Sequence, residues 1–567
     1  MTNQIVRLDG AGNVTLSSKN YVAQGGEGVI YRHSGYAVKI YHAGKSIIPE
    51  QKIKELSRIT PTNVLGPKGA VRDSKSRVIG FYSVFMDGTS PLCKLFTKDF
   101  RDRNGFTESD AVEVVKKKQL TLEQIHREGF LVVDFNEMNF LIDKTMSIPF
   151  FIDVDSWQTP SFRATALMES VRDRLIKNNQ FTEGSDWFSF AVVSFQLYVG
   201  VHPYKGIHPD YKPKDWLQRM EDGVSVFDPK SKIPSSCRPF SVIPKAHLKW
   251  FEEVFVHNGR SAPPLPDGIA PIAVQVVLVH GSNNFSVSKI IEYADPIINV
   301  FYCRGEMFAV SGKNLYMGSR RQASVYSFAK SDKTAICESP GEHPIFCQMA
   351  KGILNLSEII SDKKIDEIKV DDFMVRDGRL YTVCGDSVFE NVFVQGQGGK
   401  ILHSSRRLCS YLENSSKVFD GVIYQDSLGQ PTFVVPYEKG ASFIGIIKEI
   451  HGYRVLDAKA EDNVLVVLGE QKGIYTRFIV IFEQGFKSYN VRMVDDVSLE
   501  SINFTKLPGG NRPCVLYAGD GKVEIFVNNS KIKEVDNAPF DSSMKLFNDG
   551  GKVFFVNGKE INSVSTK

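Results

Sequence analysis

Helical patterning all but stops after residue 272, and that break decides the architectures open to this 567-residue chain. A chain of this length can hold two or more independently cored domains. Residues 1–260 mix β-branched or alternating runs (YVAQ, GVIYRHSGYAVKIYH, RVIGFYSVF) with helical stretches. DAVEVVKKKQLTLEQIHREG (110–129) carries apolar residues at three- and four-residue spacing, the pattern of a half-buried helix. DWFSFAVVSFQLYVG (186–200) is apolar nearly all round and stops at Gly200 with Pro203 just beyond, as a buried helix does. SAPPLPDGIAPI (261–272) then supplies four prolines with glycine, serine and aspartate, the composition of a linker.

Beyond the linker, short β-rich runs alternate with Gly, Asn and Asp turns, as in GRLYTVCGDSVFENVFV and NVLVVLGEQKGIYTRFIVIFEQG. Similar starts recur near 298, 372, 418, 455, 502 and 544. Most gaps are about 37–46 residues, the length of one four-stranded propeller blade, and the 74-residue gap after 298 fits two. The pattern predicts an all-β domain over 273–567, a six- or seven-bladed β-propeller, with a pair of β-sandwiches as the alternative. No Trp-Asp repeat chooses between them. The last unit holds about two strands, and PIAVQVVLVHG (271–281) is expected to close the ring by pairing with it.

A formal net charge of +4 is small for this length and argues against nucleic acid or an anionic membrane as the main partner. The eight cysteines form no C-x-x-C pair, which predicts reduced thiols and a cytoplasmic location. The N-terminus has neither a basic nor an apolar signal region, and the longest apolar run, 191–201, falls short of the roughly 18 residues of a membrane span.

Chemistry concentrates in the first half. The turn Gly25-Gly26-Glu27-Gly28 lies between two strand-like runs, where backbone N–H groups can close over phosphates with no Cβ in the way. Lys39 follows eleven residues after Gly28 in AVKIY, placing an ammonium within reach of phosphates from the next strand. In IHREGFLVVDFNEMNFLID (125–143), Asp134 and Asn139 stand five apart. Such a carboxylate can accept the proton of an incoming hydroxyl while the amide ligates magnesium. Asp153, right after the apolar run PFFI, suits a second magnesium ligand. Each acid alone reads as a turn residue; the order and spacing of all four together point to phosphoryl transfer.

Residues 21–265 resemble the protein-kinase superfamily, and more narrowly bacterial kinase-like proteins often joined to helix-hairpin-helix DNA-binding modules. The resemblance rests on AVKIYH, IGFYSVFMDG, IHREGFLVVDFNEMNFLI, FIDVDSWQ and DWFSFAVVSFQLYVGVHPYKG. It implies an α+β bilobal kinase fold over about 15–260 and a serine/threonine-type protein kinase using ATP and Mg²⁺. By the same resemblance Lys39 contacts the phosphates, Asp134 is the catalytic base, and Asn139 and Asp153 hold metal. Backbone groups from Val84 to Met86 hold the adenine, and Asp186 anchors the catalytic loop. Glu169 and Arg260 form a structural pair, and either Glu50 or Glu55 pairs with Lys39. A docking role for the propeller, toward a protein substrate or partner complex, completes the expectation.

The chain departs from the pattern at several points. Ala23 replaces the first glycine, Val132-Val133 the usual His-Arg, Asn136 the catalytic-loop lysine, and Asp155 the glycine after the metal-binding aspartate. These departures raise the rival of a nucleotide-binding pseudokinase scaffold. With no helix-hairpin-helix module in the sequence, DNA binding is not carried over from the resemblance.

Overall fold

The computed structural model describes residues 4–266 and 285–566, apart from residue 235 and the stretches 319–323, 329–330, 342, 360, 362, 498, 500–501, 507–513, 519–521, 528–529, 537 and 550–551. It is a mixed α/β chain of two compact units: the first takes residues 4–266 together with 472–474 and 499, the second the other described residues from 285 to 566.

The first unit opens with β1 (Gln4–Leu8), β2 (Gly12–Leu16), β3 (Tyr21–Gln24), β4 (Gly28–His33) and β5 (Tyr36–Tyr41). Helix α1 (Glu50–Leu56) and strands β6 (Gly69–Arg72) and β7 (Val78–Val84) follow. The strands form one seven-stranded sheet in the order β2-β1-β6-β7-β5-β4-β3. Period-two alternation puts Val6, Leu8, Val14 and Leu16 on one face, where they pack with Val38, Val71 and Tyr82. The sheet therefore takes in residues ahead of the expected start at 15. Gly28 has to be glycine for steric reasons: a Cβ there would lie 2.4 Å from the Ile40 carbonyl oxygen on the neighbouring strand.

The helical part comprises α2 (Lys98–Asn104), α3 (Glu108–Arg127), α4 (Glu183–Val199), α5 (Trp216–Glu221) and α6 (Lys245–Phe255). A short three-stranded sheet joins it, from β8 (Ser90–Pro91), β9 (Phe140–Ile142) and β10 (Pro149–Phe151). Capping boxes start the two long helices, Thr107 with Asp110 on α3 and Thr182 with Ser185 on α4. Gly200 ends α4 at φ +97°, a left-handed turn that favours glycine. Every α4 residue from Ser185 to Val199 is buried, and Phe195 alone meets the rings of Phe227, Phe240, Phe251 and Phe255. Each such buried ring contributes about 1.5–3 kcal/mol, which makes α4 the hydrophobic axis of this part.

Among the described residues the second unit contains seven four-stranded antiparallel sheets, each of four neighbours in simple order. Their first strands begin at Ile297, Lys333, Asp372, Ser416, Arg454, Phe504 and Leu546. The last sheet receives its fourth strand from the start of the unit: Phe285–Glu292 pairs with Glu560–Thr566, from Phe285 opposite Thr566 to Glu292 opposite Glu560. The run 271–281, expected to make this pairing, lies outside the described residues. First strands of successive sheets lie against one another, as Ile297–Cys303 does on Lys333–Cys337 and that strand on Asp372–Arg376. The buried Arg376 guanidinium donates to the carbonyls of Pro436, Gly421 and Asp462, tying its own sheet to the next two. Among the described residues no helix is long and apolar enough to cross a membrane.

Candidate functional site

Strand β5 delivers Lys39 into a cluster of acids. Its Nζ lies 2.6 Å from Asp155 Oδ2, 3.0 Å from Asp153 Oδ1 and 3.3 Å from Glu27 Oε2. Burial works against the ammonium, but Asp153 and Asp155 outweigh it and hold its pKa above the usual lysine range. Asp155 is nearly inaccessible, and its Oδ2 also accepts the Tyr41 hydroxyl at 2.6 Å. Burial alone would raise this carboxyl; Lys39 and the Tyr41 hydroxyl reverse the sign and keep it below the ordinary range. Asp153 goes the other way, upward, as crowding by the surrounding protein and the neighbouring Asp155 charge raise it and Lys39 opposes, although 43 % of its side chain stays open to solvent.

Neither glutamate of α1 reaches Lys39. Glu50 pairs with Lys54 at 3.1 Å and Arg72 at 3.0 Å, and Glu55 accepts the Thr159 hydroxyl at 2.6 Å. What α1 sends inward is Lys52, buried, whose Nζ donates to the Asp155 carbonyl oxygen at 2.7 Å. The expected Lys39–glutamate pair is thus replaced by carboxylates from the 153–155 turn and from Glu27.

The second cluster forms around Asp186, at the start of α4 and fully buried. Its two oxygens accept the Val132 and Val133 amides at 2.8 Å each, and His126 Nε2 donates to it at 2.9 Å. Val133 has φ +64°, costly for a β-branched residue; the double anchor holds that conformation and presents Asp134 beyond it. Asp134 Oδ1 accepts the Met168 amide at 2.7 Å and Oδ2 the Asn139 side-chain amide at 3.2 Å. Asn139 also donates to the Asp134 carbonyl at 2.9 Å, and its own carbonyl accepts Ile152 N–H at 3.0 Å. Asn139 thereby sits beside the strand that runs into Asp153. Phe135, inside the loop, is wedged among Phe140, Phe151 and Phe190. Asn136 spends its side-chain oxygen on the Met138 amide at 2.8 Å, capping the turn 137–139.

The glycine turn is closed by Gly25 N–H on the Gly28 carbonyl at 2.9 Å. Ideal Cβ atoms on Gly25 and Gly26 would meet nothing within 4 Å, so the turn faces open space. Val84 ends β7 opposite Tyr36, Phe85 N–H bonds the Gly35 carbonyl at 2.8 Å, and Met86 follows with its carbonyl accepting Thr89 at 3.2 Å. Arg260 meets Asp173 through two hydrogen bonds of 2.7 Å each, whereas Glu169 pairs with Arg174 and Arg172. The Arg260 partner is therefore Asp173, four residues after the expected glutamate.

Among the described residues no group of three or more His, Cys, Asp or Glu side chains is arranged to hold a metal by itself. A magnesium ion that shares its coordination with phosphates needs only one or two protein oxygens. Asn139, whose amide donates through Nδ2, and the 43 % exposed Asp153 side chain supply that kind of donor. The carboxylates of Glu27, Asp153 and Asp155 outnumber the two ammoniums of Lys39 and Lys52, which leaves the cluster one positive charge short and suits a cation.

No family model matches the chain. Over 106 residues it is 24 % identical to ribosomal protein S6 kinase alpha-3 of Mus musculus and of Homo sapiens, and likewise to ribosomal protein S6 kinase alpha-6 of Mus musculus. The matched stretch is 18 % of this chain and 14 % of each kinase, so the chain spans a small part of the length of these curated relatives. The likeness is a distant, partial one to kinases.

Proposed function

We propose that the first unit is a protein-kinase-fold domain acting as an ATP- and Mg²⁺-dependent Ser/Thr-type protein kinase. We read the second as a seven-bladed β-propeller that docks its protein substrate or a partner complex. The observation that carries the reading is the ion pair of Lys39 with Asp153 across 114 residues of chain, beside a loop that presents Asp134 and Asn139. The partial likeness to kinases points the same way. The seven four-stranded sheets, with the last completed by the unit's first strand, favour the propeller over paired sandwiches.

When bound, Mg-ATP supplies the transferable phosphoryl group and a cation to offset phosphate charge. The chain's own residues divide the remaining work. Lys39 offers ammonium hydrogens to anionic oxygens, the Asn139 side-chain oxygen and Asp153 carboxylate offer hard metal donors, and Val84–Met86 offer backbone groups to the base. Asp134 accepts the proton from the attacking hydroxyl. Positioning and charge compensation of this kind account for most of the acceleration in phosphoryl transfer.

A second reading, a nucleotide-binding scaffold without transfer, draws on two contacts. Asn136 caps its own turn where the resembling proteins carry a lysine, and both Asp134 oxygens already accept internal N–H groups. Transfer of labelled γ-phosphate to the protein itself and to a cell extract, wild type against Asp134→Asn, separates the two. Transfer lost in the variant establishes the kinase. Saturable Mg-ATP binding with no transfer by wild type establishes the scaffold, and no binding at all rejects both.

A further inference from the structure

We infer that Asp155 is the positioning carboxylate for Lys39, and that helix α1 braces it from behind through Lys52 rather than reaching Lys39 with a glutamate of its own. The inference rests on the reading of this cluster as a Mg-ATP site.

Lys39 touches three acids, but they are not equivalent. Asp153 and Glu27 have side chains 43 % and 47 % exposed, at 3.0 and 3.3 Å. Asp155 is 2 % exposed and the nearest, at 2.6 Å. An exposed partner holds a lysine loosely because water competes and the side chain keeps its freedom; a buried charge-assisted contact fixes it. Tyr41, two residues on and so on the same face of β5, clamps the same Asp155 oxygen. Lys52 then pins the Asp155 main chain, so the turn is gripped through its carboxylate by β5 and through its carbonyl by α1.

Asp153 and Asp155 sit on one three-residue turn. The metal donor and the lysine clamp are therefore set by a single piece of backbone and move together. Lys52 is the α1 side chain that touches that turn's backbone, which makes it the contact by which α1 reaches the Lys39 clamp. Glu50 and Glu55 have no part in it.

The test uses the full chain and two readouts, one of which needs no nucleotide. The first is acylation of Lys39 by acetic anhydride at fixed pH, followed by mass spectrometry; the second is titration with Mg-ATP, with KM for Mg-ATP and for protein acceptor where transfer occurs. Asp155→Asn should speed acylation and weaken Mg-ATP binding about tenfold, the worth of one buried charge-assisted hydrogen bond, with KM for the acceptor unchanged. Glu50→Gln and Glu55→Gln should match wild type in both. If Asp155→Asn fails to fold, Lys52→Met, which leaves every carboxylate in place but also removes a neighbouring cation, should change the acylation rate and weaken Mg-ATP binding by loosening the turn. Unchanged acylation in a folded Asp155→Asn or Lys52→Met protein overturns the inference, as does an equal effect of Glu55→Gln. Faster acylation in a protein that binds no Mg-ATP keeps the clamp and rejects the nucleotide site. Unchanged acylation in a protein whose Mg-ATP binding is lost with Lys39→Ala does the reverse.

Discussion

Lys118 offers the sharpest test of how this core is built. It lies on α3, fully buried, with its ammonium 5.4, 5.3 and 5.4 Å from the ring centres of Phe135, Phe140 and Phe190. Its amine has no hydrogen-bond partner among the described residues. Burial drives its pKa down to about 7, with Glu137 acting weakly the other way. In the unfolded chain the amine keeps its proton to about pH 10.4. Between about pH 7 and 10 the unfolded state therefore holds a proton that the native state lacks, and stability rises with pH. The slope is roughly 1.4 kcal/mol per pH unit, or about 4 kcal/mol across the window, less whatever the three ring faces return to the charged form. Below pH 7 both states are protonated and this contribution is flat. Lys118→Met fills similar volume without the amine and should stabilise the first unit by ~1–4 kcal/mol at pH 7, about 2–4 °C in Tm per kcal/mol for a unit of this size. All four tryptophans, Trp157, Trp187, Trp216 and Trp250, lie in that unit, so fluorescence melts of the intact chain report on it alone. The advantage over wild type should shrink steadily from pH 7 to 10. A variant that is less stable at pH 7, or a gap that ignores pH, would refute the reasoning.

Three other outcomes follow from the geometry. Asp186→Ala strips two amides and His126 of their shared acceptor; stability by tryptophan fluorescence should fall by ~3 kcal/mol or more, and any phosphate transfer should vanish. Gly28→Ala drives a methyl against the Ile40 carbonyl and should cost ~1–3 kcal/mol in the same melts, whereas Gly25→Ala and Gly26→Ala, which meet nothing, should leave the melting temperature within a degree or so. Joint replacement of the exposed Ser161 and Thr165 by alanine should leave the rate of any phosphate transfer unchanged if the proposed kinase reading holds, because Val132-Val133 supplies no arginine to read a phosphate there; a collapse to background would show otherwise.

Strand placement in the second unit was legible because alternation and turn residues are local signals. The starts read near 298, 372, 418, 455, 502 and 544 lie within two residues of first strands at 297, 372, 416, 454, 504 and 546. The start at Lys333 was visible only as a double-length gap, because KTAIC is a short strand with no Gly or Pro between Gly318 and Pro340 to mark where it begins. In the first unit, the glycine turn, Lys39, Asp134, Asn139 and Asp153 could be found from order and spacing, since each sits in a patterned run. Partner choice could not. Asp155 stands 116 residues from Lys39, and nothing local marks it above Glu50 or Glu55, which lie only 11 and 16 residues from that lysine. Asp173 and Glu169 are four apart with equal charge, and only packing sends one to Arg260. The N-terminal hairpin, residues 4–16, was missed because its buried set, Val6, Leu8, Val14 and Leu16, is two alternating pairs, too brief a pattern to mark a pair of strands.

The pairing of Phe285–Glu292 with Glu560–Thr566 has a consequence for biosynthesis. Ser288 and Ser563 meet across 275 residues, so the strand at 285–292 waits for the one at 560–566. The entropy of closing so long a loop grows only logarithmically, but contacts this distant slow the search for them. From the synthesis of residues 285–292 until that of residues 560–566, one sheet edge is left open, with backbone donors and acceptors ready to pair with any passing strand. Yield in the cell is then set less by how stable the finished unit is than by how well that edge is shielded until its partner strand has been made.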